Sequence, residues 1–332
     1  MIFNLQWFLD KRRRLMYYYR RGELSDKVSR KIDPFISRFR QLPELALIAD
    51  WAGMGDALMY ATVAHELKKR TPLIIEINSS YPELFKGNPD IDIASSARER
   101  RAVLLERLPK NKAISPKYWV RDGYQPNNHI LKILCAQVGI TGEIGLRTYI
   151  HLTKRELEQV PSFMRNCLAI QSQGKLTWGI NKNWHPDKFQ QVVDHFKRNF
   201  TIVQLGTSDD PLLSGCIDMR DKTSLRFAAA ILFWARCFVG QVGGLMHLAR
   251  AVDTRSVIIY GGFEAPWQSG YEVNLNITSK ADCSPCWKMQ ECFPRVCMDN
   301  ISSQVIIDVV ESLVCGEIEK LRELNPPVSI NG

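Results

Sequence analysis

Four short stretches combine residue types and spacing that can do chemistry. In the first, Gly53-Met54-Gly55-Asp56, an acid follows two glycines where the apolar run 45–49 gives way to a helical pattern. Glycine allows a tight turn that a Cβ would resist. A carboxylate placed there either caps the helix and complements its dipole or waits at the mouth of a cleft to take a proton. In the second, residues 240–247, Gly243 and Gly244 stand between a strand and a helix, so backbone amides, that of Leu245 among them, can approach a ligand. His247 falls in the first turn of that helix, as a ligand contact or a local packing group. The third is the polar loop after residue 170, which carries Lys175, Lys182, Trp184 and His185 ahead of a helix. A lysine there suits a diphosphate as a point charge, or is simply solvated. The fourth is Cys283-x2-Cys286-x5-Cys292-x4-Cys297, with Trp287 and Pro294 inside it. Four thiols so close suit a structural zinc or iron, or are free.

The elements that must position these groups follow from hydrophobic period. Ala57, Tyr60, Ala61, Ala64 and Leu67 fall on one helical face, so residues 45–70 form a strand, a turn and a helix. A second apolar run at 73–77 and a third short strand near 91–95 continue the alternation of a parallel sheet. In open α/β sheets ligands bind beyond the carboxyl ends of the strands, which is where Asp56 falls. The pattern restarts at residues 167–170. Pro186 then opens a helix with Phe189, Val192, Val193 and Phe196 inward, strand 201–205 follows, Thr223 or Ser224 caps another helix, and residues 238–260 repeat strand, turn, helix and strand. The expected fold is therefore α/β, with two doubly wound domains and a basic N-terminal helical arm. Its parts are an arm at 1–40, a first domain at 41–155, a second at 165–300 that includes the cysteine loop 283–297, and a closing helix at 301–325.

Composition sets limits on partners. The chain has 332 residues and a net charge of +9, and its first forty residues hold eleven Lys/Arg against four Asp/Glu. The body is nearly neutral, which argues against a nucleic-acid-binding surface and for an anionic partner of the arm. Phe3, Trp7, Phe8 and the run 17–19 of tyrosines lie among those basic residues. Such a mixture suits a helix at an anionic membrane surface, or one packed on the fold or on another subunit. No apolar run is long enough to span a bilayer. The basic cluster 11–14 interrupts the only stretch that resembles a secretory signal, so the expected location is cytoplasmic, peripheral on the inner face of the membrane.

Several motifs recur in a recognisable order: G-M-G-D at 53–56, the stretch 83–92 (E-L-F-K-G-N-P-D-I-D), Lys182-Asn183-Trp184, Thr223-Ser224-Leu225 with Ala229-Ala230-Ile231, and G-L-M-H-L-A at 244–249. Together, over about residues 45–310, they resemble glycosyltransferase family 9, which includes the lipopolysaccharide ADP-heptose heptosyltransferases. The resemblance implies two Rossmann-like domains of the glycosyltransferase B type. It also implies an inverting, metal-independent transfer from a nucleotide-diphosphate sugar, ADP-heptose by the family, to a hydroxyl of a lipopolysaccharide-type glycolipid. A protein acceptor, as for autotransporter heptosyltransferases with similar cysteine clusters, is the alternative.

By the same resemblance Asp56 is the catalytic base and residues 53–55 form an acceptor-side loop. Lys182, Gly243, Gly244, Leu245 and His247 hold the donor, and no catalytic cofactor is needed. Where many relatives carry an acid and a Ser/Thr before the last glycine, Val242 and Gly243 stand here, which leaves a non-catalytic nucleotide- or glycan-binding protein as a further reading. Asp90-Ile91-Asp92 looks like the metal signature of another glycosyltransferase fold but belongs to a stretch leading into a strand, and is expected to be structural. An NAD-binding reading is also available, with Gly53-x-Gly55 and Glu76 as a ribose-binding acid. It is weakened by Leu58 at the third glycine position and by the charge of Asp56 beside a pyrophosphate.

Overall fold

The computed structural model describes residues 42–49, 52–96, 98–118, 125–174 and 179–315. The basic arm at 1–40, Lys175 and the closing helix beyond residue 315 lie outside the described residues.

The first sheet grows from β1 (Leu45–Ala49), whose five residues are all buried. It pairs in parallel with β2 (Ile75–Ser79) on one side and β4 (Ala113–Ile114) on the other, and β2 pairs with β3 (Ile93–Ser95), giving the order β3-β2-β1-β4. Side chains of a strand alternate between faces. Leu45, Leu47 and Ala49 accordingly enter the large core while Ala46 and Ile48 meet Leu104 on the other face. Helix α1 (Met54–Lys68) covers the core side, and α2 (Arg98–Arg107) brings Leu104 to the opposite one. Helix α3 (Ile130–Gln137) packs on α1. A short helix α4 (Lys154–Glu158), with a Thr153–Glu156 capping box, begins the passage to the second half.

The second sheet is built outward from β5 (Leu168–Ile170). One side adds β6 (Ile202–Gln204) and β7 (Ile217–Asp218); the other adds β8 (Cys237–Gln241), β9 (Ser256–Ile259) and β10 (Leu275–Ile277), all in parallel. This order, with the first strand central and later strands laid on both sides, is the doubly wound arrangement. Helix α5 (Pro186–Phe196) begins on Pro186 as its spacing predicts, and buries Phe189, Val192, Val193 and Phe196. Ser224, rather than Thr223, caps α6 (Leu225–Trp234) by accepting from the Phe227 amide. Helix α7 (Gly244–Ala251) follows β8, and α8 (Pro266–Ser269) follows β9. After the cysteine loop, α9 (Val296–Asp299) and α10 (Ser303–Cys315) complete the described chain, with α10 packed on α5.

One apolar cluster joins the two halves: residues of β1 and α1 are continuous with those of α6 and α7. A second cluster, between β5, β8, α5 and α10, belongs to the C-terminal half alone. The domains thus meet through α1 and α7 over packed side chains.

Candidate active site

Both doubly wound sheets have a point where strand order reverses, between β1 and β4 in one and between β5 and β8 in the other. Ligands bind at such points, beyond the carboxyl ends of the strands. The chain leaving β1 carries Asp56 and the chain leaving β4 carries Tyr118. The chain leaving β5 carries Lys182 and the chain leaving β8 carries Gly243 and Gly244.

Asp56 is the third residue of α1, and one carboxylate oxygen accepts the Gly53 amide at 3.1 Å. Its capping role is therefore real. The other oxygen accepts the Tyr118 hydroxyl at 2.9 Å. Burial pushes the acid up, against the Tyr118 and Gly53 hydrogen bonds and the charge of Lys182, with the charge of Glu264 reinforcing burial; its pKa ends above the ordinary aspartate value. A carboxylate of raised pKa is a better proton acceptor than a free one.

Lys182 closes a short 3-10 turn (Ile180–Lys182) that follows Gly179, whose φ of 112° is one that side-chain-bearing residues avoid. Its ammonium pairs with Glu264 and stands 4.7 Å from the centroid of the Phe263 ring and 6.0 Å from that of Trp287. Glu264 is 4% exposed and also accepts from the Ser269 hydroxyl at 2.6 Å. Burial raises its pKa, but Lys182 and Ser269 together outweigh burial and hold it below the usual range. The aromatic side is completed by Trp287, which lies edge-on to Tyr118 at 6.3 Å and donates its indole N–H to Gln268. Trp287 has φ of 48°, a left-handed value unusual for a bulky residue.

The two glycine turns touch. A Cβ on Gly55 would fall 2.6 Å from His247 Cδ2 and 3.1 Å from Gly244 Cα, and one on Gly244 would fall 2.6 Å from Met54 Cε. Gly55, Gly244 and Met54 thus let the N-terminal ends of α1 and α7 approach closely. Gly243 differs, because a Cβ there would meet nothing within 4 Å. Leu245 and His247 are buried, at 7% exposure each. His247 Nδ1 bonds the Tyr271 hydroxyl at 2.6 Å and its carbonyl accepts from Thr148. Burial lowers its pKa to about 4, so at neutral pH it is an uncharged imidazole in the domain interface and brings no cationic charge to a phosphate.

Three of the four cysteines lie near one another and the fourth is held apart. Cys283, Cys286 and Cys297 are near enough for the first two to raise the third electrostatically, though burial does more. The Cys286 amide bonds the Gly262 carbonyl, and a Cβ on Gly262 would sit 3.0 Å from Cys297 Sγ. Cys292 is tied elsewhere, its amide on the Asn181 side chain. Among the described residues no three ligating side chains converge as a metal ion requires, so as placed the four thiols do not form a cage. What the loop does is fix Trp287: Asn181, the neighbour of Lys182, also donates to the Lys288 and Gln290 carbonyls.

Two other readings are settled by contacts. Glu76 is fully buried and bonds Arg100 Nε at 2.9 Å and Ser95 at 2.7 Å, so it holds β2 to α2 and cannot reach a ribose. Asp90 binds His65 and Asp92 binds Lys68 and the Ile75 amide, so the D-x-D is structural. Tyr118, Phe263, Glu264 and Tyr271 were not among the candidates drawn from the sequence. Tyr118 follows β4, a strand of two residues, too short to announce itself by period; with that strand located, the reversal of strand order marks its successor loop.

Two parallel doubly wound domains with opposed glycine turns agree with the glycosyltransferase B fold. In agreement, residues 145–296 match the family model for glycosyltransferase family 9 (heptosyltransferase), as the ordered motifs implied. No curated protein matches the sequence. Among solved structures, the family 9 glycosyl transferase from Veillonella parvula aligns with TM-score 0.60 at 15% identity, over 82% of this chain and 97% of its own. The ADP-heptose lps heptosyltransferase II of E. coli aligns with TM-score 0.61 at 14% identity, over 82% and 99%. The iron-containing dodecameric glycosyltransferase TibC from enterotoxigenic E. coli aligns with TM-score 0.64 at 16% identity, over 84% and 80%.

Proposed function

We propose that the chain is an inverting glycosyltransferase that moves heptose from ADP-heptose to a hydroxyl of a lipopolysaccharide-type glycolipid. The observation that carries the reading is Asp56, an acid of raised pKa at one switch point, facing Lys182 from the other domain's switch point. In the proposed step the acceptor oxygen attacks the anomeric carbon from the face opposite the diphosphate. Its proton passes to the Asp56 carboxylate. The anomeric C–O bond breaks, and the nucleoside diphosphate leaves with the electron pair. The charge it gains is met by Lys182 and by the amides at Gly243, Gly244 and Leu245, at a helix N-terminus. Relatives in the family and a neighbour of known structure named for ADP-heptose support the donor. No metal takes part in this step.

A donor screen tests the reading, with Asp56→Asn as its control. Consumption of ADP-heptose by the wild type, reduced by ~100-fold or more in the variant as expected for loss of a general base, supports it. Equal turnover by both sinks the assignment of Asp56. A protein hydroxyl is the alternative acceptor, and purified glycolipid and autotransporter substrates assayed side by side separate the two.

Val242 and Gly243 motivate a second reading, a binding protein without turnover. Tight nucleotide binding with no transfer to any acceptor would favour it. The arm at 1–40 is proposed to hold the protein on anionic lipid at the cytoplasmic face; no helix among the described residues is long and apolar enough to cross a membrane. Salt-sensitive binding to anionic vesicles that is lost on removal of residues 1–40 is the expected result. A structural zinc or iron at the cysteine loop requires Cys292 to turn towards the other three. Elemental analysis after reducing purification decides this: one equivalent lost in Cys286→Ser supports a bound metal, and under about half an equivalent in the wild type excludes it.

A further inference from the structure

We propose that Glu264 is a positioning residue of the transfer site, holding the Lys182 ammonium above Phe263 and beside Trp287 so that it faces the cleft opposite Asp56. The proposal rests on the transferase reading given above. Its geometric basis is the pair itself. Lys182 Nζ bonds Glu264 Oε1, while Glu264 Oε2 is held by the Ser269 hydroxyl at 2.6 Å, so the carboxylate is fixed from the side away from the lysine. Ser269 is in turn anchored in α8, whose Gln268 bonds the Ala265 amide, the Pro126 carbonyl and the Trp287 indole. The chain of contacts runs from a rigid helical turn through Glu264 to a flexible lysine. A lysine carries three donor N–H groups. One satisfies Glu264, and the others remain for phosphate oxygens.

The pair also bears on the base. Lys182 and Glu264 both lie close enough to act on Asp56, the first drawing its proton off and the second opposing that. A lone ammonium at this place would stabilise the Asp56 carboxylate and make it a weaker base; the buried Glu264 carboxylate cancels much of that field. Glu264 touches none of the reacting atoms. It acts through Lys182 and through charge.

Glu264→Gln in the full chain tests this, because the amide keeps the volume and can still meet Ser269 while losing the charge. Two measurements are made. In ADP-heptose transfer, kcat is expected to fall by about tenfold, with a smaller rise in donor KM, and the acid limb of the pH profile to move to lower pH, by roughly half a unit to one unit. Glu264→Asp, which retains the charge, is expected to restore the limb towards the wild type. In the second measurement an amine-reactive ester is applied at neutral pH and lysine labelling is read by peptide mass spectrometry. Lys182 is expected to label at least about threefold faster in Glu264→Gln than in the wild type, with exposed Lys154 unchanged as internal control. An acid limb that overlays the wild type, or unchanged labelling of Lys182, overturns the proposal. If the wild type transfers no sugar, the transferase reading fails by itself and the labelling alone decides whether Glu264 holds the lysine. Should the glutamine variant unfold, as its melting curve would reveal, Ser269→Ala, which frees Glu264 Oε2, carries the labelling measurement: faster Lys182 labelling there supports the role, and wild-type labelling overturns it.

Discussion

At the scale of the residue, Asp56 is a helix cap whose surroundings also suit the base proposed for it, two readings that the sequence presents as rivals. One oxygen caps α1 through the Gly53 amide and the other meets Tyr118. The cap fixes the side chain's orientation, and burial sets its basicity. Tyr118 works against that basicity, since a donated hydrogen bond favours the charged carboxylate. Tyr118→Phe is therefore expected to raise the Asp56 pKa and move the acid limb of the transfer profile to higher pH, by about one unit or less. This direction is opposite to that expected for Glu264→Gln. Measuring both profiles on one donor tests the electrostatic account of the site, and an unmoved limb in the tyrosine variant would show that Asp56 does not control it.

At the scale of the element, the site depends on how α1 and α7 cross. A methyl group at Gly55 meets the His247 ring and the Gly244 backbone, neither of which can give way freely. Gly55→Ala is expected to cost about 1 to 3 kcal/mol, the usual range for overpacking, read as a lowered denaturation midpoint. Gly243→Ala meets nothing and is expected to leave the midpoint within about 0.5 kcal/mol. It should weaken nucleotide binding, because the methyl fills the space before the amides. If both variants bind and melt alike, the two glycines have been assigned the wrong tasks.

This contrast also marks what could be read from the sequence. Strand-turn-helix units, the inward faces of α1 and α5, and the restart near residue 167 were legible because apolar period records burial directly. The places of Asp56 and Lys182 followed, since both lie just beyond strands that the pattern locates. That Gly55 and Gly244 face one another was not legible, because contact between elements almost 190 residues apart leaves no local period. Glu264 and Tyr118 were hidden for a related reason: each is an ordinary loop residue until its own domain folds and brings it a partner distant in sequence, Lys182 to Glu264 and Asp56 to Tyr118. The cysteine spacing left a structural metal and free thiols both open, and it gave no sign of the hydrogen bonds by which Asn181 holds the Cys292 amide and the Lys288 and Gln290 carbonyls.

At the scale of the whole molecule, the proposed base Asp56 on one domain and the proposed phosphate-binding Lys182 on the other can work together only while the domains remain joined. Besides the apolar seam of α1 and α7, polar side chains tie the halves together, among them Arg147 to Asp253, Thr148 to the His247 carbonyl and, most extensively, Arg226. Arg226, on α6 of the second domain, bonds both oxygens of Glu156 at 2.6 and 2.8 Å, the Glu83 carbonyl at 3.1 Å and the Lys86 carbonyl at 3.3 Å in the first domain, and the His151 carbonyl in the connecting segment. The Arg226 hydrogen bonds, opposed by burial and aided by Thr153, bring the Glu156 pKa down to about 2. A carboxylate whose pKa is depressed on folding stabilises the fold fully above its ordinary value near 4.5, and the contribution disappears as pH falls through about 2. The nominal shift corresponds to ~3 kcal/mol, which partial exposure of Glu156 reduces to ~1 to 2 kcal/mol. The wild type should accordingly exceed Glu156→Gln in stability by that amount at pH 7, and the difference should vanish towards pH 2. Arg226→Met goes further, because it leaves three carbonyls and a carboxylate without their donor. Its expected cost is about 3 to 5 kcal/mol, as for removing one partner of a buried pair, together with an increased radius of gyration in solution scattering and a loss of transfer that excess donor does not restore. Should Arg226→Met stay compact and fully active while losing stability, the guanidinium holds local structure only, and closure of the site rests on the glycine crossing of α1 and α7.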